Sequence, residues 1–222
     1  YRILFNSGRS LQARELTQAQ TIIQKQIERF GNNIFKEGAA VKPGGLSIDN
    51  SYEFVKLDTT SSSTTANVGT ILTGATSGIK AEILQRVPAL AGDPVTIYVR
   101  YVDTSASPTT SVTPRFQAGE SLGSGRVVQI TNTPANPAVG RGTRATIGDS
   151  IYFTQGFFVY TESQSAIISK YTDDPTTNVG FKIIQEVQSV DDNLQLYDNQ
   201  GSSINTTAPG ADRYCIKLRL TS

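Results

Sequence analysis

The residue types that carry most enzymatic and metal chemistry are scarce in this chain of 222 residues. It contains no histidine, so a Ser-His-Asp triad, a Cys-His pair or a histidine-ligated metal site cannot form within it. Its one cysteine, Cys215, can make neither an internal disulfide nor a thiolate cluster. Cys215 also falls on the polar face of an alternating segment, where nothing indicates a reactive thiolate.

Two local patterns match sequence motifs of binding or catalytic sites, but the residues around them do not support those functions. Residues Gly140–Ala145 fit the dinucleotide fingerprint G-x-G-x-x-A. That motif needs a strand before it and a helix after it, whereas here a proline-rich stretch precedes and a β segment follows. The paired carboxylates Asp173-Asp174 and Asp191-Asp192 lie at turn signals, and we interpret them as turn residues. We therefore predict that the protein is not an enzyme and holds no cofactor and no metal, although acids distant in the sequence could still meet in the fold.

The charges are nearly balanced, with 20 basic and 19 acidic residues and a net charge of +1. A phosphate-binding surface usually has a clearer basic excess. Arg126, Arg141 and Arg144 form a small basic region, which in a near-neutral chain favours a solvated face or a subunit contact. No apolar run is long enough to span a membrane. The sequence thus predicts neither a nucleic-acid partner nor a membrane span.

The strongest local pattern is an N-terminal amphipathic helix. Apolar residues recur at intervals that average about 3.6 residues, the period of an α-helix. This apolar stripe consists of Leu16, Ala19, Ile23, Ile27, Phe30 and Ile34. Ser10 is the predicted N-cap, and Gly31 is the predicted stop, which places Ile34 beyond the last turn.

The polar side of this helix is rich in glutamine, an unusual choice for a solvated face. Two interpretations follow: the stripe packs on the protein's own core behind a neutral exterior, or the helix is packed on both sides and its amides bond to a neighbouring subunit. The predicted interaction residues are Gln18, Gln20, Gln24, Lys25 and Glu28.

After Gly38 the sequence changes to short alternating segments separated by turn residues, which is typical of antiparallel β structure. The predicted strands are Tyr52–Leu57, Val68–Leu72, Ile79–Gln85, Val95–Val102, Arg126–Thr131, Asp149–Tyr160, Ala166–Tyr171, Val179–Val190 and Arg213–Leu220. Thr104–Pro114 and Asn132–Arg144 are predicted exposed loops.

We predict a mainly β (α+β) fold in which the N-terminal helix is followed by one or two antiparallel β domains. The expected division is a helical anchoring segment at 1–38, a β domain with Ser/Thr/Pro-rich loops at 39–145 and a β domain at 146–222. One continuous domain that includes the N-terminal segment is the alternative. The last strand alternates most cleanly, which predicts that Ile216 and Leu218 are buried while Arg213, Lys217 and Arg219 face outward.

Two groups of segments resemble a family of tailed-phage virion proteins, uncharacterised-domain proteins that are frequent in cyanophages and other marine phages. The first group resembles the start of the family domain and comprises Phe5–Gln18, Gln26–Gly31 and Ile34–Gly38. The second resembles its later part and comprises Gly148–Phe153, Gly156–Val159, Ser169–Tyr171, Val179-Gly180 and the Ala208–Arg213 turn that leads into a strand. Together they cover roughly half of the chain and leave about 58–144 unmatched.

The resemblance implies a non-enzymatic structural protein of the virion, located at the tail, baseplate or fibre attachment. Its expected partners are other tail or baseplate proteins, and the default assembly is a homotrimer. The alternative is a β-rich tail protein that binds or cleaves a host-surface glycan. That alternative calls for exposed aromatic residues in a groove, and the chain has no tryptophan.

Overall fold

The computed structural model describes residues 2–61, 67–90, 92–103, 114–196 and 210–222. Over these residues the chain is mainly β, with one α-helix and antiparallel sheets, so the predicted fold class is confirmed. The elements are α1 (Ala13–Ile34), β1 (Ala39–Lys42), β2 (Leu46–Lys56), β3 (Ile71–Thr73), β4 (Lys80–Val87), β5 (Thr96–Asp103), β6 (Val139–Ile147), β7 (Ser150–Thr154), β8 (Phe157–Thr161), β9 (Gln164–Ser169), β10 (Gly180–Gln188), a 3₁₀ turn (Leu194–Leu196) and β11 (Arg213–Thr221).

The chain forms two compact units, and each unit draws on separate stretches of sequence. The first unit combines Tyr1–Leu46, Thr146–Ser165 and Val179–Thr221. The second combines Ser47–Ala145 and Ala166–Asn178, with Ser222. The predicted anchoring segment 1–38 and most of the predicted domain 146–222 thus contribute to the same unit.

The second unit is built on a six-stranded sheet with the order β3-β4-β5-β2-β6-β9. Because successive side chains of a strand point to opposite faces, β2 and β5 bury residues on both sides of this sheet. Val55 and Ile97 belong to the larger buried cluster, which also contains Phe116, while Phe54 and Tyr98 belong to a smaller aromatic one. Burial on both faces matches the apolar runs within these strands, Phe54-Val55 in β2 and Ile97–Val99 in β5.

Strand β6 corrects the predicted exposed loop Asn132–Arg144. Residues from Val139 onward lie in the sheet, and two glycines make this possible. A Cβ at Gly140 would lie 2.9 Å from the Phe54 ring, and one at Gly142 would lie 2.6 Å from the Lys170 carbonyl oxygen. The glycine pattern therefore serves close packing within a strand.

One other predicted strand is absent, and one predicted loop falls almost wholly outside the described residues. The predicted strand Arg126–Thr131 is wrong, because Val127 and Val128 form only isolated bridges, to Ser121 and Leu57. The predicted loop Thr104–Pro114 lies, apart from Pro114, outside the described residues.

The first unit contains α1, a three-stranded sheet of order β1-β7-β8 and the β10–β11 hairpin. Thr154 pairs with Phe157, so β7 and β8 are joined by the two-residue loop Gln155-Gly156. Both loop residues have positive φ angles, 51° and 80°. Such a loop matches the twist of the strands that it joins, and glycine adopts this conformation without strain.

Strand β11 confirms the predicted alternation over Lys217–Leu220, whereas Ile216, which is predicted to be buried, is only half-buried. Leu218 and Leu220 are buried, whereas Lys217 and Arg219 are exposed. The alternation survives because the strand pairs in continuous register with β10 from Gly180–Gln188 to Arg213–Thr221.

Helix α1 corrects both predicted ends. It begins at Ala13 after an N-cap at Gln12 rather than at Ser10, and the Gln12 backbone N–H donates to Glu15 Oε2 at 2.8 Å. Gly31 lies inside the last turn instead of ending it, and the Phe35 N–H donates to the Gly31 carbonyl oxygen at 2.7 Å. A side chain at this position would overlap the ring of Phe153 in β7.

Candidate interaction surface on helix α1

One narrow face of α1 fixes the helix to the β7–β8 hairpin within the first unit. Gln24 Nε2 donates to the Gly156 carbonyl oxygen at 2.7 Å. A Cβ at Gly156 would lie 2.6 Å from Glu28 Cγ, and a Cβ at Gly31 would lie 2.3 Å from Phe153 Cε2. We call Gln24, Glu28 and Gly31 the inner face. Two glycines, one on each partner, therefore allow the helix and hairpin to approach closely.

The chain that leaves α1 adds a second set of contacts to the same hairpin. The Phe35 ring lies 5.9 Å from the Phe153 ring and 5.6 Å from the Phe158 ring. The Glu37 carboxylate accepts hydrogen bonds from the Gln155 N–H at 3.0 and 3.1 Å and from the Thr154 hydroxyl. The helix is thus held in one orientation by packing and by hydrogen bonds.

The apolar stripe does not take part in this packing. Leu16, Ile23, Phe30 and Ile34 are more than half exposed, and Ile27 is 39% exposed. The interpretation that the stripe packs on the protein's own core is therefore wrong. At roughly 100° per residue, the centre of the stripe lies about a quarter of a turn around α1 from the inner face. The hairpin consequently leaves the stripe open to solvent.

The predicted interaction residues divide between these surfaces. Gln24 and Glu28 belong to the inner face and are half-buried, and Glu28 also pairs with Lys25 Nζ at 2.7 Å. Gln18, Gln20 and Lys25 are exposed. Two of the five predicted interaction residues therefore make contacts within the first unit, and the other three lie at the surface.

An open groove of about 970 Å³ runs beside the polar side of α1 within the first unit. Gln20, Gln24 and Lys25 line one wall, and Phe157 and Tyr214 lie among the residues of the other. Tyr214 is 53% exposed, although it alternates onto the same side of β11 as the buried Leu218.

The buried carboxylate of Glu120, in the second unit, makes structural hydrogen bonds. Glu120 is 3% exposed and accepts backbone N–H bonds from Thr76, Ser77 and Gln117 at 2.8, 2.5 and 2.8 Å. These bonds clamp two turns together, so the carboxylate has a stabilising role.

A second acidic residue, Glu53, pairs with two arginines. Its carboxylate accepts from Arg115 Nε at 2.7 Å and from Arg141 Nε at 3.0 Å. Arg144, the next arginine of the predicted basic region, pairs with Asp49 at 3.5 Å and lies over the Tyr52 ring. These arginines are therefore engaged within the unit.

Among the described residues of the second unit, Lys56 is the buried cation, at 4% exposure. Its Nζ donates to Asn136 Oδ1 at 2.7 Å and lies 3.9 Å from the centre of the Tyr171 ring. Burial lowers the pKa of Lys56, and the nearby Asp93 partly opposes this effect. The amide and the aromatic ring replace part of the hydration that the ammonium group loses.

The paired aspartates lie at the surface in turns. All four are exposed, and Asp192 Oδ2 accepts from the Ser189 N–H and hydroxyl at 3.0 Å. The backbone and hydroxyl donors of Ser189 lower the pKa of Asp192. Among the described residues, no three cysteine or acidic side chains cluster as a metal site would require. No helix in the described ranges has the length and hydropathy that a membrane span needs.

No curated protein and no solved structure matches the chain. Residues 1–82, which contain α1, β1, β2 and β3, match the model of a family described as a domain of unknown function, DUF4815.

Proposed function

We propose that this chain is a non-enzymatic structural subunit of a tailed-phage virion, located in the tail, baseplate or fibre-attachment apparatus. Its partners are other tail or baseplate proteins, with nucleic acid playing no part. The resemblance of Phe5–Gln18 and Gly148–Phe153 to phage virion proteins supports the location. The observation that carries an assembly role is the apolar stripe, which α1 presents to solvent while its inner face is fixed.

The exposed apolar residues are concentrated near the N-terminus. Ten of the twenty-one exposed large hydrophobic side chains that the structure describes lie in residues 2–46. These ten are Leu4, Phe5, Leu11, Leu16, Ile23, Ile27, Phe30, Ile34, Val41 and Leu46. Large contiguous apolar patches are rare on monomeric proteins and mark interaction sites. This segment is therefore suited to being covered by other chains.

The absence of catalysis in this proposal is supported by the engagement of the candidate groups. Glu120 and Glu53 hold backbone amides and arginines, and Lys56 is bonded to Asn136. A general acid or base needs an accessible proton position next to a substrate. These side chains instead contribute to the folded structure of the second unit.

The test is to look for the chain in purified particles. Phage from a host lysate is banded by density, and its proteins are identified by mass spectrometry and by immunogold labelling with antibodies against the chain. We expect the chain in the banded particles and gold at the tail or baseplate. A chain that remains in the soluble lysate while the capsid proteins band normally would contradict the proposal.

Recognition of a host-surface glycan is a second candidate, favoured by the groove beside α1. Tyr214 offers an exposed aromatic face, and Gln20 and Gln24 offer amides, a combination that suits stacking and hydrogen bonding to sugars. A glycan array tests this candidate. Binding that is lost in Tyr214→Ala but kept in Tyr160→Ala, a change at an exposed tyrosine outside the groove, would support it.

A further inference from the structure

We propose that the exposed side of α1 is the seam of a parallel, three-stranded coiled coil formed by identical copies of this chain. The inference deepens the assembly role proposed above and rests on it only for the setting in which the trimer works. Its occupant is specific: the same residues of α1 from two further copies. We define the seam as Leu16, Gln20, Ile23, Ile27, Phe30 and Ile34.

The spacing of the seam residues is that of a heptad repeat. The intervals alternate between four and three residues along the whole of α1. Leu16, Ile23 and Phe30 fall seven residues apart and occupy position d, while Gln20, Ile27 and Ile34 also fall seven apart and occupy position a. Such a 3.5-residue period keeps one stripe facing a partner helix over several turns.

The identity of these residues indicates how many helices meet. Isoleucine occupies position a at Ile27 and Ile34 and position d at Ile23, while Leu16 and Phe30 occupy the other two d positions. β-branched residues at both a and d shift the preference from two strands towards three or more. Gln20 is the one polar residue of the seam, and a single polar residue at position a fixes the register in which copies align.

The residues that flank the seam carry no charge that would oppose an identical copy as the partner, and two of them, Gln24 and Gly31, belong to the inner face. The e positions are Thr17, Gln24 and Gly31, and the g positions are Ala19, Gln26 and Asn33, all of them neutral. Charged e and g residues select different partners by attraction and repulsion. Here like charges do not face each other when copies align in parallel, so self-association meets no electrostatic opposition. The charged residues of α1, such as Lys25, Glu28 and Arg29, lie outside the a, d, e and g positions.

The attachment of α1 to its own hairpin lowers the entropy lost when copies associate. The helix has 22 residues and is about 33 Å long, which is three heptads. Most of the stability of helices in proteins comes from tertiary packing, because starting a helix from a disordered chain is unfavourable. Here Gln24, Gly31 and Phe35 already hold the helix in place, so a short seam is sufficient.

Light scattering after size-exclusion chromatography of the full chain tests the inference. The wild type should form a species of about 72 kDa, three times the chain mass of 23.9 kDa. Ile23→Glu/Ile27→Glu should elute as a monomer, since it places charge at two layers of the seam. Its far-UV circular dichroism and urea melt should show that both units remain folded, because the two side chains are exposed in the single chain.

Two matched variants control for the added charge. Gln18→Glu lies on the same helix at position f, away from the seam, and Ile130→Glu lies at an exposed isoleucine of the second unit. Both should remain trimers. A monomeric or dimeric wild type, or a trimer that survives in Ile23→Glu/Ile27→Glu, would overturn the inference.

Disulfide cross-linking tests the parallel orientation. In a Cys215→Ser background, Ile23→Cys places identical thiols in one layer of a parallel coil, so oxidation should link chains on a non-reducing gel. Val187→Cys, at an exposed position on β10, should give no link. A trimer that does not cross-link through residue 23 would rule out the parallel seam.

The outcomes separate this inference from the proposed function. A seam-dependent trimer that is absent from virions leaves the coiled coil standing and rejects the virion role. A monomeric chain that is present in virions rejects the coiled coil and leaves the virion role standing.

Discussion

Replacing Gly31 by alanine distinguishes a docked helix from one that lies free in solvent. In an exposed helix interior, Gly→Ala raises stability by about 1 kcal/mol because alanine has the higher helix propensity. In this structure the added Cβ would lie 2.3 Å from Phe153 Cε2 and 2.6 Å from Cζ. Phe153 is fully buried and lies 5.1 Å, ring to ring, from Phe158, so its ring has little room to move.

The expected magnitude follows from these two opposing effects. Overpacking a well-filled site costs about 1–3 kcal/mol, which offsets or exceeds the gain in propensity. We therefore expect Gly31→Ala to lower the free energy of unfolding by up to about 2 kcal/mol. Asn32→Ala is the matched control, because Asn32 is exposed on the same turn and its replacement should be mildly stabilising.

Urea melts followed by far-UV circular dichroism measure both changes, in the Ile23→Glu/Ile27→Glu background so that unfolding is not coupled to dissociation. A double-mutant cycle with Phe153→Leu then tests the contact itself. The smaller side chain should relieve part of the penalty and give a coupling of about 0.5–3 kcal/mol. If Gly31→Ala raises stability by about 1 kcal/mol and shows no coupling, α1 is not docked on the hairpin and the reasoning fails.

Three further outcomes are expected from the described contacts. Leu218→Ala should lower stability by about 2–5 kcal/mol through lost burial and a cavity, while Lys217→Ala should leave the urea midpoint unchanged, because its ion pair with Glu186 is exposed. Glu120→Ala should destabilise the second unit by about 3 kcal/mol or more, since three buried N–H groups lose their acceptor, and thermal melts beside Glu120→Gln would show whether the carboxylate is needed. Burial raises the pKa of Tyr98 and Tyr101, so the folded state retains both protons while the unfolded state loses them near pH 10. Stability should be unaffected by these groups below about pH 10 and should fall above it. Replacing both by phenylalanine should weaken that fall and leave the tyrosinate absorbance of the folded protein unchanged, and a lost absorbance step near pH 10 would show that they are accessible.

Local patterns predicted much of the secondary structure. The period of about 3.6 located α1, and the alternation in β11 identified the buried Leu218 because both signals depend on neighbours along the chain. Gly140 and Gly142 were misread because their role depends on Phe54 and on a carbonyl oxygen at residue 170, which are distant in the sequence. Gly31 has a helix-stop signature, but its contact with Phe153 determines its place inside the helix.

The sequence identified α1 as an interaction element, but it did not show which side of the helix packs on the protein. Periodicity shows that a helix has an apolar face, but it does not show what covers that face. In α1 the glutamine-rich side supplied the intramolecular contact through Gln24, and the apolar side was left open. The five glutamines in Gln12–Gln26 were the sequence feature that indicated which side packs on the protein. Their amides bond to backbone carbonyls without the desolvation cost of a charge.

The reversed packing of α1 has a consequence for stability. A helix normally buries its apolar face on its own core, since that burial contributes most of its stabilisation. Here Gln24, Glu28 and Gly31 attach the helix through a narrow polar face, and the side chains with the most apolar area contribute only when another surface covers them. In the assembly that we propose, covering these side chains would contribute further stability. The stability of the chain would then depend on protein concentration, which a monomeric fold would not show.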